Sequence, residues 1–91
     1  MNTQFYKNDF LSIRSLVTKN GFMLEKATNR LQDNKYIVSA AVKNNGLALQ
    51  FASEDLKNDK EIVLEAIKSN KDAIQFASEN LKNDPEILAF Y

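Results

Sequence analysis

Two hydroxyl–carboxylate pairs, Ser53-Glu54 and Ser78-Glu79, stand 25 residues apart in a chain of 91. As a pair they offer either a repeated contact row along one face, or surface letters that a duplication has left alike. General acid–base catalysis needs a histidine, or a carboxylate whose pKa burial has raised. The chain has no histidine, and its Asp and Glu fall in caps, turns or polar faces. No G-x-S-x-G elbow, Gly-rich phosphate loop or basic-aromatic run is present. No catalytic residue is expected, and the chain is read as a non-enzyme.

Metal chemistry has one candidate. KNDKE at 57–61 brings Asp59 and Glu61 together, and hard cations take oxygen ligands. The spacing fits no calcium loop, no glycine makes the turn, and helix capping accounts for Asp59. With no cysteine or histidine, the two commonest zinc ligands are missing as well. No metal and no cofactor are expected. Twelve cations balance twelve carboxylates, so no bulk field draws a polyanion. Lys43, Lys57, Lys68 and Lys82 recur with the repeat and could form a basic row, while Arg14 and Arg30 are the only arginines. A nucleic-acid-binding module is therefore an alternative reading.

What must position these residues is a repeat. QFASEDLKND at 50–59 returns as QFASENLKND at 75–84, nine letters of ten. Residues 33–57 align with 58–82 without a gap, a looser copy fills 8–32, and a partial copy occupies 83–91. A fixed period of this length predicts an all-α fold: a short α-solenoid of about three and a half helix-turn-helix repeats in one domain, 1–91. Asp9, Asn34, Asp59 and Asp84 share one phase and read as N-caps, the last backed by Pro85. Ile62, Val63, Ala66 and Ile67 give the one-face spacing of a first helix. That helix is expected to stop near Asn45-Gly46 or Asn70-Lys71, where Asn or Gly tolerates a left-handed backbone. The second helix is expected to run unbroken from about Leu47 to Lys57.

A helix of about ten residues cannot bury its apolar face alone, so copies stack to extend one core. Phe51 and Phe76 are placed between neighbouring layers; the first copy has Lys26 there, as suits a solvated cap. Ala41 and Ala66 allow close helix approach, where the end copies carry Leu16 and Tyr91.

The phrases AAVKNNGLALQFASEDLKNDKEIVLEAIKSN and AIQFASENLKND resemble a short helical repeat, the family of domain of unknown function 4116. The likeness covers 33–91 well and 8–32 loosely, where EKATNRLQ replaces QFASEDLK. It implies an all-helical repeat fold and carries no catalytic residue or ligand.

The reading that follows is a non-enzymatic helical-repeat protein–protein interaction module, an adaptor or inhibitor docking on a larger protein. Self-assembly as a structural unit is the third reading. Candidate contact residues are Ser53, Glu54, Ser78, Glu79, Phe90 and Tyr91, with a homodimer through the C-terminal end among the expected partners. MNTQFYKNDFLS shows no basic region followed by an apolar run, and no stretch reaches the roughly 20 apolar residues of a membrane helix. A cytoplasmic protein without membrane contact is expected.

Overall fold

The computed structural model describes residues 8–90, so Tyr91 lies outside the described part. Every element in it is helical. Three α-helices of ten residues recur in register: α1 (Phe10–Lys19), α3 (Lys35–Asn44) and α5 (Lys60–Ser69). Each is followed by a six-residue 3-10 helix, Gly21–Lys26, Gly46–Phe51 and Lys71–Phe76. A single α-turn then closes each copy: α2 (Asn29–Gln32), α4 (Glu54–Lys57) and α6 (Glu79–Lys82). The last element, α7 (Pro85–Phe90), opens a further copy.

The N-caps stand where the sequence places them. Asp9 accepts from the Ser12 amide, Asn34 from Tyr36 and Ile37, Asp59 from Glu61 and Ile62, and Asp84 from Glu86 and Ile87. Each bond satisfies an amide that the first helical turn leaves unpaired.

Two expectations are corrected. The second helix is not continuous. Ala52 and Ser53 are extended, with ψ of 158° and 161°, and split it into the 3-10 helix and α4. The break has a partner: the Ser53 N–H donates to the Gln32 carbonyl of the preceding copy at 2.9 Å, and Ser78 donates to Lys57 at 3.0 Å. A helix running through this point would turn that amide inward on its own copy. Nor do the long helices end in a left-handed residue. Asn20, Asn45 and Asn70 are extended at φ near −150°, and no residue of the described chain has positive φ. Each Asn instead caps the 3-10 helix that follows, accepting from Phe22, Leu47 or Asp72.

Gly21 and Gly46 are there for space rather than for turning. A Cβ on Gly21 would overlap the Ala41 carbonyl, and one on Gly46 the Ala66 carbonyl. The starts of the first two 3-10 helices therefore press against the long helix of the next copy, with Ala41 and Ala66 as the small residues opposite.

α1 packs on α3, α3 on α5 and α5 on α7, with the second 3-10 helix against the first and third. The stack is elongated, 48 × 21 × 16 Å. Its core runs the whole length: Ile13 and Val17, then Ile37, Val38, Ala41 and Val42, then Ile62, Val63, Ala66 and Ile67, with Leu24, Leu49, Leu31, Leu56 and Leu81 from the second halves. No helix of the described residues is long and apolar enough to cross a membrane.

Candidate interaction surface

The serines of the repeated phrase are structural. The Ser53 hydroxyl accepts from the Leu56 amide, capping α4, and donates to Asp33 Oδ1 of the preceding copy at 2.5 Å. Ser78 repeats both bonds, with Leu81 and with Asn58 Oδ1 at 2.6 Å. Thr28, at the same phase, donates to Asn8. A hydroxyl that donates one bond and accepts another has little left for a partner. Glu54 and Glu79 do project: their side chains are 91% and 85% exposed, held only by Lys57 and Lys82 at 3.5 Å.

The long helices carry a second periodic feature. Lys35 reaches forward to Asp59 at 3.2 Å and Glu61 at 2.5 Å; Lys60 does the same to Asp84 and Glu86 at 3.1 and 3.0 Å. Glu61 and Asp59 hold the Lys35 ammonium above its ordinary pKa, and Glu86 and Asp84 do so for Lys60. Asp84 is in turn held low by Lys60 and by the amides of its own helix. Glu65 reaches back, accepting from Ser39 at 2.7 Å and pairing with Lys43 at 3.3 Å.

Phe90 takes Glu65's place one copy on. It faces back as Glu65 does, and the Lys68 ammonium lies 5.3 Å from its ring centroid, so a cation–π contact stands where the previous layer has an ion pair. Phe90 thus has a repeat-specified position on the side of the stack, 45% exposed, rather than facing out of an open end. The residue that does lose its cover is Leu88. At its phase Ile13, Val38 and Val63 are fully buried, whereas Leu88 is 52% exposed.

The match to known sequences agrees with this geometry. A family described as Domain of unknown function (DUF4116) matches residues 12–57 and again 34–82. The chain belongs to this family. The two DUF4116 matches each span about two copies and end 25 residues apart, the same step that separates α4 from α6. No curated protein and no solved structure matches the chain.

Exposure adds two residues to the candidates. Leu11 and Tyr36 stand one repeat apart on α1 and α3, 73% and 75% exposed. Their counterparts in the later copies are Glu61 and Glu86. The signal was present in the sequence as an apolar pair on a row that is otherwise acidic. Phe51 lies where two copies meet but is only half-buried; its ring stands edge-on to Phe22 of the preceding copy, centroids 6.2 Å apart.

Proposed function

We propose that this member of the family is a non-enzymatic protein–protein interaction module, and that the outer face of its long helices is the surface it offers. One observation carries the reading. Of the five large hydrophobic side chains left exposed among the described residues, three — Leu11, Tyr36 and Phe90 — share the outer face of the row α1, α3 and α7, Phe90 standing four residues past the phase of the other two. Apolar side chains gathered on one face mark a surface that another molecule covers. Glu54 and Glu79 form a separate exposed row on the one-turn helices.

The pairing of the lysines favours a protein partner over a nucleic acid. Lys43, Lys57 and Lys82 each stand within ion-pair distance of a carboxylate, and Lys68 sits over Phe90. Salt-dependent binding to a phosphate backbone draws on cations with no such competitor. Docking on a larger protein, as an adaptor or inhibitor, needs only the face itself.

Leu88 supports a second reading, a homodimer through the C-terminal end, because a core-phase residue left half uncovered is a natural contact for a second copy. The two readings separate experimentally. Leu11→Ser with Tyr36→Ser should abolish capture of the partner from the source cells while leaving unfolding unchanged. Leu88→Ser should instead lower the mass seen by light scattering if the end is used. Capture of the same proteins at the same yield by the Leu11/Tyr36 double variant would overturn the long-helix assignment.

A further inference from the structure

The ionic ladder of the long helices is missing at its first step. Between α3 and α5, and again between α5 and α7, a lysine meets two carboxylates of the next layer. Between α1 and α3 all three positions change together: Phe10 holds the lysine's phase, and Asn34 and Tyr36 hold those of the two acids. Ala40 likewise replaces Glu65. The result is a groove of about 300 Å³ lined by Phe10, Arg14, Tyr36, Ser39, Ala40 and Lys43. Two rings and two cations border it, and no carboxylate does. The helices behind it, FLSIRSLVTK and KYIVSAAVKN, contain Arg14, Lys19, Lys35 and Lys43 but no acidic residue.

From this geometry we infer that the α1–α3 groove binds a short acidic segment of a partner protein, one that carries an aromatic or large aliphatic side chain beside its carboxylates. The inference rests on the interaction-module reading and names the chemistry of its partner. The apolar side chain lies against Phe10 and Tyr36, with Leu11 on the next position of α1. The carboxylates meet Arg14, which has no carboxylate partner among the described residues, while Lys43 at the groove's edge stays paired with Glu65 at 3.3 Å. In the next two layers the chain itself supplies acids at the corresponding positions; here the partner supplies them.

Charge along the stack favours a short peptide over a polyanion. Residues 1–45 carry seven cations and three carboxylates, residues 46–91 five and nine. A nucleic-acid strand laid along the long-helix face would meet Glu61 and Glu65 one layer on, while a short acidic segment ends before them. Exposed charges of this kind steer association and are screened by salt.

Panning the full-length chain against a random 12-residue peptide library tests this. Enriched peptides should combine at least two carboxylates with a Phe, Tyr, Trp or Leu. Fluorescence anisotropy should show binding weakened at least tenfold by Arg14→Glu and by Tyr36→Ala, and unchanged by Lys71→Glu on the 3-10 side. Amide shifts in nitrogen-15 spectra should map to α1 and α3, with circular dichroism confirming that each variant is folded. Enriched peptides that lack acids, or whose binding survives Arg14→Glu, would overturn this proposal and leave the interaction-module reading standing. If no peptide is enriched, while a 12-nucleotide RNA or phosphatidylserine vesicles shift the same amides, both are overturned.

Discussion

Gly46→Ala separates two accounts of the same residue, because they differ in sign. If Gly46 were a flexible turn residue, alanine would stabilise. No residue of the described chain has positive φ, so alanine is conformationally allowed, and replacing glycine at a compatible position gains about 0.4–1 kcal/mol through the unfolded state. The packing account gives the opposite result. The new Cβ would overlap the Ala66 carbonyl oxygen and lie 3.1 Å from its carbon and 3.0 Å from the Asn70 nitrogen. All three are backbone atoms of α5 or its cap and cannot swing aside as a side chain can. Relief requires moving the second 3-10 helix off α5, which also lengthens the bond from the Gly46 N–H to Ser69 Oγ at 3.0 Å. Overpacking of this kind costs about 1–3 kcal/mol. A domain of this length is stable by roughly 5–14 kcal/mol. Urea unfolding followed by circular dichroism is the assay. With a slope of about 1–1.5 kcal/mol per molar for a small domain, a loss near 2 kcal/mol lowers the midpoint by about 1.3–2 M. Lys71→Ala, at the same phase but exposed, should stay within about 0.5 kcal/mol of the parent. A midpoint that rises in Gly46→Ala refutes the close-approach reasoning.

Phe22→Ala and Phe51→Ala should be coupled across the layer boundary by about 0.5–1.5 kcal/mol in a double-mutant cycle, the range of an edge-to-face pair; additive losses would show that the rings do not interact. Because Phe51 is half-buried, its single truncation should cost about 1–3 kcal/mol, below the 3–5 of a fully buried phenylalanine. Ser53→Ala removes both the α4 cap and the bond to Asp33, and should cost about 1 kcal/mol or somewhat more; an unchanged urea midpoint would make that hydroxyl free for a partner. Asp9 and Asp84 are held below their ordinary value of 3.8, Asp9 by the Ser12 hydroxyl and amide, and Asp84 by Lys60 and its helix amides. Their contribution is therefore complete above that value and is lost as pH falls through the lower folded pKa values. Acid unfolding should shift to higher pH in Asp84→Asn if this is so, and stay put if the two carboxylates are uncoupled from folding.

The parts of the fold that a linear pattern can encode were legible. The 25-residue step, the four caps and the apolar stripes of the long helices depend on local chemistry and period, and Asp59, Ile62, Val63 and Ala66 sit as those rules require. The break at Ala52-Ser53 was hidden because Ala48, Leu49, Ala52 and Leu56 also fit one continuous helix. What decides it is the bond from the Ser53 amide to Gln32, a contact between copies. A local hint existed, since Ser53 followed by Glu54 and Asp55 has the pattern of a helix start. The role of Gly46 is hidden in the sequence for a related reason: its neighbour, Ala66, belongs to the next copy. Leu88 and Phe90 show the limit for the candidate surface. Their phases were known, but which phase faces inward, backward or out is set by the stacking geometry.

The central claim, that the long-helix face around α1 and α3 is what partners cover, is met most directly by site-specific photocrosslinking in the source cells. A photoreactive phenylalanine analogue replaces Tyr36 in one chain and Gln75, exposed on the last 3-10 helix, in another. Discrete adducts to a partner protein from position 36, with few or none from position 75, are the expected result. Adducts to the same partner from position 75 and none from position 36 would contradict it.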